Sequence, residues 1–392
     1  MQVKKTKICF VSSIPVTLWS FYRCLIEDLM KKGWEVEICS SAGQKLDEFQ
    51  ARYSVKTHAI SIPRQITPWQ DIKTVWALRR LFRARRYDIV HAHTPKAGLL
   101  AMIAAALAGI KVRLYTCHGL AFETESGWKK QLLIASEKLS FGLAHQVLVV
   151  SRSVYEKLKC NHIGRPDKMH ILGDGTACGI DIGRFTPDPA KQEQARMIKE
   201  KLGIQSQHKV VGFVGRLVPD KGVHVLVESF LELYQHDPDV RLLIVGELEP
   251  HRGSLSENIL SVIQSHPGIV RVGFTDQIEI YYLLMNILVL PTRREGFPYT
   301  LIEAGAMEIP VIATRVTGCI DAVIDHQTGI LIPPESPSDL TKAIQTLLYD
   351  KSLAQSMGRQ ARDRVVRYFS SQRLTELHLS FYQQAMDQTL AT

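Results

Sequence analysis

Short apolar runs alternate with longer amphipathic stretches along most of the chain. Residues 7–11, 34–40, 88–93, 112–118 and 146–151 are nearly continuous apolar runs and predict strands. Residues 21–32, closed by Gly33, and 97–108 carry helical spacing between them. Apolar strands separated by helices mark a parallel sheet covered on both faces. The pattern fades over 173–207, where Gly173, Gly175, Gly179, Gly183, Pro187 and Pro189 lie among polar residues. It resumes with strand-like runs at 209–214, 240–245, 269–274, 287–291, 311–314 and 329–332, and a helical stretch at 223–234. From Ser338 on, Leu340, Ile344, Leu347 and Leu348 keep a 3.6-residue period. The reading is α/β: two Rossmann-like domains, 1–175 and 208–370, a linker over 176–207, and a final segment at 371–392. Two such domains in tandem would face each other across a cleft, with ligands at the carboxyl ends of the strands.

A length of 392 residues agrees with two domains. With 45% apolar and 22% charged residues, disorder, collagen and coiled coil are excluded. Charge is uneven: residues 1–180 hold 27 Lys+Arg against 14 Asp+Glu, or +13, and the remainder 21 against 25, or −4. A basic half points to an anionic partner such as a membrane surface, a pyrophosphate or a nucleic acid. Seven cysteines, with no C-x-x-C spacing, suggest neither a disulfide framework nor a zinc cluster. The uncharged stretch 97–110 falls short of the ~20 apolar residues that span a bilayer. Near Met1 the apolar run is too brief for a signal peptide's core.

Two segments carry candidate chemistry. Gly215, Arg216 and Lys221 lie in a loop between a strand and a helix, where a nucleotide diphosphate sits in α/β folds. Arg216 offers a planar fork and Lys221 a point charge to phosphate oxygens. Glu295, Gly296 and Phe297 follow the strand at 287–291, and a helix starting near Pro298 carries Glu303. Free amides around Gly296 suit an anion or a sugar hydroxyl. His91 and His93 share one strand face, and no third metal ligand is suggested. Asp237-Pro238-Asp239 reads as a turn, not a metal motif.

In this order, Gly-Arg-Leu-x-x-x-Lys-Gly at 215–222, Glu-x7-Glu from Glu295 to Glu303, Gly179-Ile180-Asp181 with Phe185, and Thr328-Gly329-Ile330-Leu331 resemble retaining GT-B glycosyltransferases of the family-4 type. The runs His91-Ala92-His93-Thr94-Pro95-Lys96 and Thr116-Cys117-His118-Gly119 resemble the bacterial subgroup that extends polyprenyl-diphosphate-linked glycans of capsule, O-antigen or protein-linked oligosaccharide. A Gly-Gly pair common after the first strand of such enzymes is replaced here by Ser12-Ser13-Ile14.

The resemblance implies a hexose or N-acetylhexosamine transferred from a nucleotide-diphosphate sugar, UDP favoured, to a lipid-linked saccharide, with retention and without a metal or other cofactor. Arg216 and Lys221 would hold the diphosphate, Glu295 the transferred sugar, and Glu303 the ribose. Backbone groups of Gly215, Gly296 and Phe297 would touch the donor, and His118 the sugar. The final helix would cross back to the N-terminal domain. Arg79, Arg80, Arg83, Arg85 and Arg86 follow Trp69 and Trp76, and Lys129 and Lys130 follow Trp128. Such surfaces suit an anionic membrane face, so a cytoplasmic, peripheral enzyme is expected. The rivals are a nucleotide-sugar 2-epimerase of the same fold and a nucleic-acid-binding protein. A dehydrogenase lacks its G-x-G-x-x-G after the first strand, and no nucleic-acid partner is expected.

Overall fold

In the computed structural model, which describes residues 5–249 and 253–390, the apolar runs form two separate parallel sheets. The first compact unit takes residues up to Gly179 together with the segment from Ser371 on; the second is Ile180–Ser370.

The first unit has seven strands: β1 (Lys7–Val11), β2 (Glu35–Ser40), β3 (Lys56–Ala59), β4 (Ile89–His93), β5 (Val112–Cys117), β6 (Gln146–Val149) and β7 (Met169–His170). Their order is β3-β2-β1-β4-β5-β6-β7, all parallel. Ile8 at the centre pairs with Val36 on one side and Ile89 on the other. Helices α1 (Pro15–Lys31), α2 (Gln44–Tyr53), α3 (Pro68–Arg85), α4 (Pro95–Ala108), α5 (Gly127–Leu143) and α6 (Arg152–Cys160) connect the strands. Helix α1 begins six residues before the stretch read from spacing. Pro15 fits the first turn, where its missing N–H costs nothing, and Leu18, Trp19 and Tyr22 extend the buried stripe.

The second unit opens with α7 (Pro189–Lys201), inside the stretch read as linker. Asp188 caps it, accepting from the Lys191 amide at 2.8 Å, and Pro189 starts it. Its strands are β8 (Lys209–Val214), β9 (Val240–Val245), β10 (Ile269–Val272), β11 (Ile287–Leu290), β12 (Val311–Thr314) and β13 (Gly329–Ile332), ordered β10-β9-β8-β11-β12-β13 and all parallel. Helices α8 (Val223–His236), α9 (Glu257–Ser265), α10 (Ile278–Tyr282), α11 (Tyr299–Ala306), α12 (Cys319–Ala322), α13 (Pro337–Tyr349) and α14 (Lys351–Tyr368) complete it. The last helix, α15 (Ser371–Leu390), belongs to the first unit, where the Tyr382 hydroxyl meets His91 Nδ1 at 2.9 Å. Among the described residues no helix is long and apolar enough to cross a membrane, and none of the seven cysteines is in a disulfide.

Two acids inside the first unit behave oppositely. Glu37 on β2 is fully buried yet surrounded by Arg85, Tyr87, His58 and Lys7, whose hydrogen bonds and charges outweigh burial and hold its carboxyl near 2. Among the described residues, Glu137 on α5 accepts only from the Tyr115 hydroxyl, at 3.1 and 3.3 Å, and burial lifts it to about 7. An acid with a raised folded value contributes stability below its unfolded value and loses it as pH rises through the folded one. Glu137→Gln should therefore gain stability on the wild type between about pH 4.5 and 7, by about 3 kcal/mol in total. The gap should be flat outside that window, as measured by urea unfolding at fixed pH.

Candidate functional site

Loops leaving the carboxyl ends of β8, β11 and β12 carry the candidate residues of the second unit. After β8 the chain passes Gly215 and Arg216, buries Leu217 and Val218, and turns through Pro219–Lys221 into α8. Gly222 closes the turn at φ +68°, and a Cβ there would stand 1.8 Å from the Pro291 carbonyl oxygen. Only glycine lets the two loops approach so closely. The Asp220 carbonyl accepts from the Arg293 amide at 2.8 Å and from Thr292 Oγ1 at 2.9 Å. Its carboxylate accepts from Arg294 at 2.9 Å.

This clamp places the Lys221 ammonium directly against the Glu295 carboxylate, with both side chains more than four-fifths buried. The loop after β12 closes on the other side. The Glu295 amide donates to the Thr317 carbonyl at 3.2 Å. Gly318, at φ +80°, would bring a Cβ within 2.6 Å of the Gly296 carbonyl oxygen. Phe297 is buried against Phe369, ring centres 5.2 Å apart, so its side chain anchors the loop in the core. Arg216 is more open and pairs with Glu249 at 3.0 Å. An exposed pair of this kind is worth little and exchanges easily for a ligand.

Glu303 projects from α11, half-buried, and accepts from the Tyr282 hydroxyl at 2.8 Å. Burial raises its pKa, opposed by the Tyr282 hydrogen bond and the Arg184 charge. Arg184 itself pairs with Glu279 at 2.7 Å. The sequence reading brought Arg216, Lys221, Glu295 and Glu303 forward but missed Asp220, Tyr282 and Glu249. Arg293 and Arg294, just after Thr292, hinted at an acidic partner; nothing local pointed to Tyr282.

His118 lies just beyond β5 in the first unit, in a cluster of histidines. Its Nε2 is 3.4 Å from both the Tyr22 hydroxyl and His93 Nδ1, and its ring stacks on Phe21 with centres 6.0 Å apart. Burial pushes it down to about 4, so the ring is neutral at pH 7. His91 is fixed by Tyr382 at 2.9 Å and by Thr116 Oγ1 at 2.7 Å, and His378 donates from Nδ1 to the Leu374 carbonyl at 2.8 Å and accepts at Nε2 from the Cys178 thiol. Among the described residues no group of three or more His, Cys, Asp or Glu is arranged to hold a metal. A cavity of about 540 Å³ in this unit lies at the opposite end of the sheet, beside Thr6, Asp88 and Lys111.

One expectation about the basic helix is corrected. Arg85 does not join an outward cationic face; it turns inward to the Glu37 carboxylate. Arg79 donates to the Leu107 carbonyl at 3.2 Å. Trp69, Ile72, Trp76, Arg80 and Arg83 form the outward face, with Trp69 82% exposed. Asp237 holds its turn by accepting from Lys209 and Tyr349, each at 2.6 Å.

Residues 194–364 match the family model described as glycosyl transferases group 1, and residues 20–175 the glycosyl transferase 4-like domain. The chain is 34% identical over 357 residues to the capsular polysaccharide biosynthesis glycosyltransferase CapM of Staphylococcus aureus, covering 91% of this chain and 92% of that one. It belongs to the family-4 GT-B glycosyltransferases. It is also 26% identical over 340 residues to an Escherichia coli enzyme named UDP-Gal:alpha-D-GlcNAc-diphosphoundecaprenol alpha-1,3-galactosyltransferase, with 85% and 84% of the two chains covered. Among solved structures, Anabaena HepE in complex with UDP and glucose shares the fold at a TM-score of 0.81 and 19% identity, over 97% of this chain and 100% of that one.

For this glycosyltransferase, the packing of Gly222 on Pro291 is the testable root of the site. Gly222→Ala should cost at least about 2 kcal/mol. Gly203→Ala, also at φ +68° but with nothing within 4 Å of the added Cβ, isolates the backbone cost alone. It should lose only about 1 kcal/mol. Urea unfolding of both variants checks the difference.

Proposed function

We propose that this glycosyltransferase moves a hexose or N-acetylhexosamine, with retention, from a UDP-sugar to a saccharide carried on a polyprenyl diphosphate. The observation that carries the reading is the Lys221–Glu295 pair, clamped between glycine-tight loops beside Arg216. The names of two relatives support it: HepE is held with UDP and glucose, and the Escherichia coli enzyme uses UDP-Gal and a diphosphoundecaprenol-linked sugar.

On donor binding, the diphosphate draws Lys221 and Arg216 away from Glu295 and Glu249. Glu295 is then free to accept from sugar hydroxyls, and Glu303 from the ribose. The two cations stabilise the charge that develops on the leaving diphosphate, so no metal is required for that task. The bond from the anomeric carbon to the phosphate oxygen breaks, and the acceptor oxygen bonds to the same face. The acceptor's proton passes to the departing phosphate oxygen. His118 serves the sugar being transferred.

A ligand bound only by the native state raises its stability by about 2.7 kcal/mol at a hundredfold excess over Kd. UDP-sugars, and not GDP- or ADP-sugars, should raise the melting temperature, and Arg216→Ala should abolish the rise. A rise with none of the three classes contradicts the reading.

The outward face of α3 pairs exposed Trp69, Ile72 and Trp76 with Arg80 and Arg83, and Trp128 on α5 stands beside Lys129 and Lys130. We propose that these faces lie on the anionic membrane that carries the acceptor. Trp69→Ala combined with Trp76→Ala should weaken sedimentation with phosphatidylglycerol vesicles several-fold. Neutral phosphatidylcholine vesicles should bind neither form. Unchanged sedimentation of the double variant removes the α3 face from the proposal.

A further inference from the structure

We infer that His118 is held as the neutral tautomer with its proton on Nδ1, because both Tyr22 and His93 donate to its Nε2. The use of this tautomer in catalysis rests on the function proposed above; the tautomer itself does not.

The argument starts at His93. This ring is completely buried on β4 and stacks on Phe10 with centres 5.7 Å apart and planes 6° from parallel. Its Nε2 is sealed from solvent and has no hydrogen-bond partner. A neutral imidazole carries one N–H and one lone pair. Were the proton on Nε2, a buried N–H would be orphaned, a rarer and costlier condition than a bare acceptor. The proton therefore sits on Nδ1, which lies 3.4 Å from His118 Nε2.

His118 Nε2 must then accept, and must itself be bare. The Tyr22 hydroxyl, at the same 3.4 Å, is the second donor to that atom. Two donors sharing one lone pair account for two equal and rather long contacts. The neighbouring rings do not compete. His91 is engaged at both nitrogens by Tyr382 and Thr116, and His378 by Leu374 and Cys178. No carboxylate bonds to any of the four imidazoles among the described residues.

What remains is the Nδ1–H of His118, which has no protein partner among the described residues. His118 thus offers a ligand a hydrogen-bond donor and not a base. A donor suits a hydroxyl or ring oxygen of the transferred sugar. It also leaves proton removal from the acceptor to the departing phosphate. Tyr22 and His93 are positioning residues for this donor.

The test is a two-bond 1H–15N spectrum of the full chain labelled with 15N-histidine, in which pyrrole-type and pyridine-type nitrogens separate. The His118 signals are assigned by their loss in His118→Asn. The expected result is a pyridine-type Nε2 and a pyrrole-type Nδ1. Tyr22→Phe and His93→Phe should each move the ring toward the opposite tautomer. A pyrrole-type Nε2 in the wild type overturns the inference, as does an unchanged tautomer in both variants. Release of UDP from the UDP-sugar that stabilises the protein then tests the donor role. The amide of His118→Asn falls near the Nδ1 position and that of His118→Gln near Nε2. His118→Asn should retain at least tenfold more turnover than His118→Gln; the reverse order overturns the donor role. Wild-type turnover in both variants instead overturns the place of His118 in the proposed function, and leaves the spectroscopic result standing.

Discussion

Much of the second unit is organised by one contact, the Lys221 ammonium on the Glu295 carboxylate. Two charges this far from water are unfavourable apart and tolerable only together. Their meeting requires three loops to converge at the carboxyl ends of β8, β11 and β12. That convergence requires backbones to touch, which glycine at 222 and at 318 permits. Asp220 finishes the arrangement by accepting from Thr292, Arg293 and Arg294. The sheet therefore fixes the strand ends, the glycines fix the loops, and the loops fix the pair. A ligand that offers Lys221 a better anion acts on a site already assembled.

The first unit solves a different problem. It gathers His91, His93, His118 and His378 in a neutral, mostly sealed cluster, with Tyr22 and Tyr382 as hydroxyl partners. Desolvation keeps these rings uncharged, so their hydrogen bonds, and not their charges, set what they can do. Under the proposed reaction, the charged pair of the second unit would meet the diphosphate, and the neutral cluster of the first would meet the sugar.

The fold was legible because buried parallel strands are written as unbroken apolar runs, as in Ile8–Val11 or Ile287–Leu290. The edge strand β3 was not, since Lys56, Thr57 and His58 are only partly covered. Helix α7 was hidden by its polar face, although Asp188-Pro189 marked its start. Of the site, the motif residues were legible because they stand close behind apolar strands, Lys221 seven residues after β8 and Glu295 five after β11. Their partners were not. Tyr282 reaches Glu303 from 21 positions away, and Arg85 reaches Glu37 across 48, so neither link leaves a local trace. The counting of Arg85 with the outward basic face failed for that reason.

The most direct test of the account supplies the purified chain with a radiolabelled UDP-sugar and an undecaprenyl-diphosphate-linked saccharide, with EDTA present. The predicted result is label in the lipid extract with the wild type, an α-linked product from an α-linked donor, and loss of at least a hundredfold in rate with Lys221→Ala. Label that stays on the nucleotide, or transfer indifferent to Lys221, would contradict it.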